Sequence, residues 1–107
     1  MKRIEIRDLY KTYADFADKK ITVCGWARTV RDSKNIAFIE LNDGAFKSVQ
    51  IVVERGKIAN YEEIVKQNVG SSFEVLGKVI VTPNAQQPFE INATSVKVLG
   101  ECATDYP

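Results

Sequence analysis

Apolar side chains occupy every second position in two neighbouring segments of this chain. They are Ala37, Ile39 and Leu41, followed by Val49, Ile51 and Val53. Successive side chains of a β-strand point to opposite faces, so this alternation predicts two strands that each bury one face. The sequence Asn42-Asp43-Gly44 lies between them and is typical of a tight turn. The chain must therefore fold around a sheet whose two faces differ in polarity.

Similar patterns elsewhere in the chain predict further strands. The predicted strands cover Lys20 to Val30, Asn35 to Leu41, Val49 to Glu54, Ser72 to Val81 and Phe89 to Leu99. In the last of them Ile91 takes the inward phase. Polar and proline residues between 82 and 88 predict a loop before the final strand.

Two helices complete the prediction. A short amphipathic helix is expected between Asp8 and Phe16, and a second helix is expected from Asn60 to Gln67. Asn60 is suited to cap the second helix, and Glu63 stands at the position that a capping box requires. Gly70 follows where a helix-terminating residue is expected.

The order of three strands, a helix and two strands is that of the OB-fold, a five-stranded Greek-key barrel. We therefore predict an all-β chain, with one helix between the third and fourth strands and a short N-terminal helix. The expected division is an N-terminal extension over 1–19, the barrel over 20–99, and the start of a hinge or linker at 100–107.

The composition disfavours several functional classes. The 107 residues include no histidine, the commonest general acid or base near neutral pH, and we predict no catalytic residue. Cys24 and Cys102 form no C-x-x-C pair, so no metal site is predicted. No apolar run is long enough to span a bilayer and the start is not of signal-peptide type, so a cytoplasmic protein that does not contact membranes is expected.

Two outward-facing residues of the predicted hairpin are suited to nucleic acid. Phe38 lies on the polar phase of the second strand, where an exposed ring can stack on a nucleobase. Gln50 lies on the outward phase of the third strand, and its amide can both donate to and accept from a base edge. The alternatives are that Phe38 caps the core or packs under a loop, and that Gln50 is simply solvated.

Charged residues near the same face are further candidates for binding. The net charge of +1 argues against affinity that comes from bulk phosphate neutralisation, but it permits a local basic patch. Arg28, Arg31, Lys34 and Lys47 all lie close to the predicted hairpin. Glu90 could accept hydrogen bonds from a base such as guanine, although each of these residues could equally be a solvated charge.

Several of these segments resemble a known family. The run Val23-Cys24-Gly25-Trp26-Ala27-Arg28, then Arg31-Asp32-Ser33-Lys34 and Phe38-Ile39, resembles the amino-terminal anticodon-binding domain of class IIb aminoacyl-tRNA synthetases. Two further stretches are similar to bacterial asparaginyl-tRNA synthetases: Asn84-Ala85-Gln86-Gln87-Pro88-Phe89-Glu90, and the ending Gly100-Glu101 with Thr104-Asp105-Tyr106-Pro107. The resemblance covers essentially the whole chain from Ile21 onward.

The resemblance implies roles for individual residues. Phe38 would stack on the middle anticodon base, a uracil, which Gln50 would read. Arg31 would touch the anticodon loop, and Glu90 would lie near the first anticodon base. Beside these roles, our own hypothesis is that Arg28, Arg31, Lys34 and Lys47 bind the anticodon loop by holding flanking phosphates.

The resemblance also implies what lies outside this chain. The parent enzyme would ligate asparagine to its tRNA, and ATP and Mg²⁺ would serve a catalytic domain that this sequence lacks. No cofactor is expected in this domain, which alone would be inactive. The parent would be a homodimer and the isolated domain a monomer.

Three other functions stay open at this point. An aspartyl-tRNA synthetase domain would prefer a tRNA that differs in the third anticodon base. A general single-stranded nucleic-acid-binding OB-fold protein would bind unrelated oligonucleotides equally well. An interaction or oligosaccharide-binding OB domain would bind no RNA.

Overall fold

The computed structural model describes residues 3–67, 69–83 and 87–100. Its elements follow one another in the order that the sequence predicts. They are helix α1 (Ile6–Thr12), a 3-10 turn (Tyr13–Phe16), strands β1 (Lys20–Asp32), β2 (Ile36–Asn42) and β3 (Val49–Glu54), helix α2 (Tyr61–Val65), and strands β4 (Ser72–Val81) and β5 (Phe89–Gly100). The proposed hinge, beyond Gly100 at the end of β5, lies outside the described residues.

The five strands close into a barrel in the order β1-β2-β3-β5-β4. Strand β1 is long enough to pair with β4 along its first half and with β2 along its second half. A short parallel pairing of β3 with β5, in which Ile51 lies opposite Ile91, closes the ring. The predicted OB-fold is therefore confirmed.

The barrel interior is filled by the residues that the alternation assigned to it. All six inward side chains of β2 and β3 are fully buried, as is Ile91 of β5. Each large aliphatic side chain buried in this way contributes about 1.5–3 kcal/mol relative to an exposed one. The inward faces therefore hold the sheet closed, and the outward faces of the same strands are left for binding.

The N-terminal residues belong to this core. Ile6 and Leu9 of α1 are fully buried in it. The rings of Tyr10 and Tyr13 lie 4.9 Å and 5.2 Å from the ring of Phe89, centroid to centroid. Such aromatic pairs add to the energy of burial itself, so α1 closes one end of the barrel.

The second helix begins after Asn60, as predicted, but it ends two residues before Gln67 and the predicted capping box does not form. Helix α2 covers only Tyr61–Val65, and no side chain caps its first N–H groups. The amide of Asn60 instead donates to Glu63 Oε1 and to the carbonyl of Val96, each at 3.0 Å. The second bond ties the helix to β5, and it takes the place of the predicted capping box.

Gly70 does not end this helix either. Its φ of 95° falls in the left-handed region, where glycine is unstrained. Its N–H donates to the carbonyl of Ala27 at 2.7 Å. The residue therefore forms a turn that leads the chain beside β1 into β4.

No helix in the described ranges is long and apolar enough to cross a membrane.

Candidate nucleic-acid interface

Phe38 and Gln50 lie together on the outer face of the barrel. Phe38 is opposite Val52 and Gln50 is opposite Glu40, so the two are diagonal neighbours on one side of the sheet. Both side chains are half-buried. They line a shallow cleft of about 370 Å³, whose other lining residues are Thr29, Arg31, Glu40 and Gln87.

Arg31 reaches this cleft because of a β-bulge in β1. Ala27 pairs with Leu41 but Thr29 pairs with Glu40, so Arg28 is an extra residue on β1. A regular strand would have given Arg31 the inward phase of Ala27. After the bulge Arg31 lies opposite Phe38, with its guanidinium carbon 5.5 Å from the centre of the ring. Bulges often redirect side chains in this way near functional sites.

The parallel pairing of β3 and β5 brings Glu90 to the same face. Ile51 and Ile91 lie opposite each other and point inward. The residues before them, Gln50 and Glu90, therefore point outward beside each other. The half-buried Glu90 extends the polar part of the face beyond the hairpin.

The four basic candidates are spread along the face, and they do not form one patch. Arg28 and Lys47 line a second cleft of about 310 Å³ together with Tyr10. The ammonium nitrogen of Lys47 lies 5.5 Å from the centre of the Tyr10 ring. Lys34 lies in the turn between β1 and β2, at the opposite end of β2 from Lys47.

The two clefts form one continuous surface, because Glu40 and Gln87 line both. Burial, with the charge of Glu40 adding to it, raises the pKa of Tyr10 above its ordinary value. None of Glu40, Thr29 and Gln87 was predicted as a site residue from the sequence. The two consecutive polar residues Arg28 and Thr29, which interrupt the alternation, are the signal that could have revealed the bulge.

The turn that carries Lys34 is held by a cluster of side chains. One oxygen of Asp32 accepts from the N–H of Lys34 at 3.1 Å and from the hydroxyl of Tyr61 at 2.7 Å. Arg55 donates to the carbonyl of Lys34 at 2.8 Å, and its guanidinium carbon lies 4.3 Å from the centre of the Tyr61 ring. Arg55 also forms an ion pair with Glu62.

Tyr61 gives this cluster a pH dependence that can be measured. Burial, with the hydrogen bond to Asp32 adding to it, raises the pKa of Tyr61 to about 12. The fold thus favours the neutral phenol. This contribution to stability is complete below about pH 10, the ordinary tyrosine value, and is lost as the pH rises towards about 12.

We therefore expect the free energy of unfolding to fall between about pH 10 and pH 12. The Tyr61→Phe variant should lose about 1.5–3 kcal/mol at neutral pH, the value of a hydrogen bond to a charged group, and its stability should fall less steeply with pH. Urea titrations of both proteins across this pH range measure the two effects. An identical pH dependence in the variant would show that Tyr61 does not cause it.

Comparison with known proteins agrees with this geometry. Residues 21–99 match the tRNA anticodon family model, which describes an OB-fold nucleic acid binding domain. The chain belongs to this family. The match begins at the second residue of β1 and ends one residue before the end of β5, so it covers the whole OB-fold barrel.

Curated relatives of this chain are asparagine–tRNA ligases. The chain is 47% identical over 108 aligned residues to an asparagine–tRNA ligase of Acetivibrio thermocellus, and the alignment covers 100% of this chain. It spans only 23% of the length of that relative. The resemblance to bacterial asparaginyl-tRNA synthetases is thereby confirmed, and it favours these over the aspartyl enzymes.

Solved structures contain the same OB-fold. The asparaginyl-tRNA synthetase of Pyrococcus horikoshii, complexed with asparaginyl-adenylate, matches with a TM-score of 0.81 and 20% identity, over 100% of this chain and 24% of that one. The aspartyl-tRNA synthetase of Entamoeba histolytica gives a TM-score of 0.81 and 25% identity, over 100% and 23%. The fold is therefore common to both kinds of synthetase.

Proposed function

We propose that this OB-fold domain binds the anticodon loop of a tRNA as part of an asparagine–tRNA ligase. The observation that carries the proposal is the cleft in which Phe38, Gln50 and Arg31 meet on the outer face. A flat ring, an amide and a guanidinium in one shallow cleft are suited to an unpaired base and its phosphate. The identity with asparagine–tRNA ligases supports the choice of tRNA.

Phe38 and Gln50 would act on the same base, the middle one of the anticodon. The ring supplies a stacking surface that every base can use, so it contributes affinity with little selectivity. The amide of Gln50 offers a donor and an acceptor, which can match the edge of a uracil. Selectivity at this position would therefore come from Gln50.

Glu90 would read the first anticodon base from the adjoining strand. A carboxylate only accepts hydrogen bonds, and guanine presents two neighbouring N–H donors on its Watson–Crick edge. Such a pair offsets the unfavourable placement of a negative charge near phosphates. Arg28 and Arg31 would contact the anticodon loop, and Lys34 and Lys47 would hold its phosphates on either side.

The reaction itself would belong to another domain of the parent enzyme. There, ATP and Mg²⁺ would activate asparagine for transfer to the tRNA that this domain selects. We place the parent enzyme in the cytoplasm, where charged tRNA is used, as a homodimer joined mainly through the catalytic domain. The isolated OB-fold domain would be an inactive monomer that still binds tRNA.

A titration against anticodon stem-loops that differ only in the middle base tests the proposal. We expect the 107-residue chain to prefer uracil, and we expect the Gln50→Ala variant to lose most of that preference. A polar group left without its partner penalises the wrong base, and its removal takes that penalty away. The difference in affinity between the uracil stem-loop and the other three stem-loops should therefore shrink in Gln50→Ala.

The matched control is Gln67→Ala. Gln67 follows α2, where its amide donates to the carbonyl of Glu63 at 3.1 Å, away from the cleft. This variant should keep the full preference for uracil. An equal loss for all four middle bases in Gln50→Ala would reject the reading role of Gln50. Equal affinity of the unaltered chain for unrelated oligonucleotides would instead support a general single-strand binder.

A further inference from the structure

Phe46 is almost completely exposed to water. It lies in the loop between β2 and β3, and 99% of its surface is accessible. A phenylalanine ring can bury 150–250 Å² of mostly apolar surface, so leaving it in water forgoes a large stabilisation. The ring makes no contribution to the core, and its position calls for another explanation.

The loop that carries Phe46 is held in place on both sides of it. The buried amide of Asn42 donates to the carbonyl of Ala45 at 3.1 Å and to Ser48 Oγ at 3.0 Å. Its oxygen accepts from the N–H of Gly44 at 2.6 Å, which forms a local turn. The hydroxyl of Tyr10 donates to the carbonyl of Ser48 at 2.5 Å. The ring is thus presented on an ordered loop.

Helix α1 also fixes this loop. A carboxylate oxygen of Asp43 accepts from the N–H of Ile6 at 3.0 Å, which satisfies a free donor in the first turn of the helix. The loop therefore pays little conformational entropy when a ligand covers Phe46. A surface that is ordered before binding loses less free energy on association than a mobile one.

Phe46 adjoins the binding face that contains Phe38. It lines the cleft of Arg28 and Lys47, which shares Glu40 and Gln87 with the Phe38 cleft. Asn42, the last residue of β2, stands four positions after Phe38, so the loop begins about 13 Å from Phe38 at about 3.3 Å per residue. The two rings also line different clefts, so they offer separate stacking surfaces.

We propose that Phe46 is a second base-stacking position, which takes another unpaired base of the RNA strand whose middle anticodon base lies on Phe38. Arg28 and Lys47 hold the phosphates between the two bases. The inference rests on the proposed function, since it extends the same RNA site. On this side of the ring, Arg28 and Lys47 match a strand of bases and phosphates better than an apolar protein surface, whereas Glu5, Arg7 and Asp43 line the cleft on its other side.

The test compares the chain with its Phe46→Ala and Phe46→Trp variants in titrations of the anticodon stem-loop. Stacking is worth about 1–3 kcal/mol per base, so Phe46→Ala should weaken binding about 5- to 150-fold, and Phe46→Trp should restore it. The matched control is Leu99→Ala. Leu99 is also exposed, at 46%, but it lies at the far end of β5 from Glu90. The Leu99→Ala variant should therefore bind the stem-loop with the affinity of the unaltered chain.

A set of stem-loops, each with one abasic nucleotide, identifies the base. For the stem-loop that lacks the base normally stacked on Phe46, Phe46→Ala should cause no further loss of affinity. The missing base should not be the middle anticodon base. The inference alone would be overturned if Phe46→Ala bound every stem-loop with unchanged affinity while Phe38→Ala still weakened binding. Phe46 would then be assigned to a protein contact. Failure of the unaltered chain to bind any anticodon stem-loop would overturn the proposed function and this inference with it.

Discussion

Replacement of Phe38 by alanine should weaken binding of the anticodon stem-loop about 5- to 150-fold, the equivalent of about 1–3 kcal/mol of lost stacking. The ring lies half-buried on the outer face, so the substitution removes a platform without opening the core. The loss should be similar for every middle base, because all bases have a flat face. Titration at a fixed, stated salt concentration measures it.

Phe38→Leu is the control that separates stacking from apolar contact. Leucine keeps a large apolar side chain opposite Val52 but has no flat π surface. We expect the variant to fold normally and to bind nearly as weakly as Phe38→Ala. If a folded Phe38→Ala protein bound the stem-loop with full affinity, Phe38 would not be part of the RNA site.

Much of the fold could be predicted from alternation alone. In β2 and β3 each inward residue is aliphatic or alanine, so the phase of each strand is unambiguous. The same phase puts Phe38 and Gln50 outward, and the pairing of the two strands makes them neighbours. The inward or outward placement of these residues could therefore be predicted from the sequence.

Other features depend on contacts between distant residues. The amide of Asn60 donates a hydrogen bond to the carbonyl of Val96, which is 36 residues later in the chain. No local sequence pattern shows that this bond forms in place of the capping box. The exposure of Phe46 likewise depends on hydrogen bonds from Asn42 and Tyr10 that turn its loop outward. Phase analysis applies to strands and gives no orientation for a loop residue.

The second large effect should come from Gly25, because at this residue the backbone of β1 lies close to the backbone of Asn42 in β2. A Cβ atom at this position would lie 2.8 Å from the carbonyl carbon of Asn42, and closer still to its oxygen. These are backbone atoms, so no side-chain rotation can relieve the clash. We expect Gly25→Ala to cost about 3 kcal/mol, the upper part of the usual range for overpacking.

Gly56→Ala is the matched control, because a Cβ atom at Gly56 would meet nothing within 4 Å. This variant should change the free energy of unfolding by no more than about 0.5 kcal/mol. Urea unfolding of both variants measures the difference as a shift of the midpoint at unchanged slope.

The Gly25 clash would also displace Asn42, whose amide orders the loop of Phe46. Equal stability of the two variants would mean that β1 can move away from β2 at little cost, and that the barrel does not hold this loop rigidly.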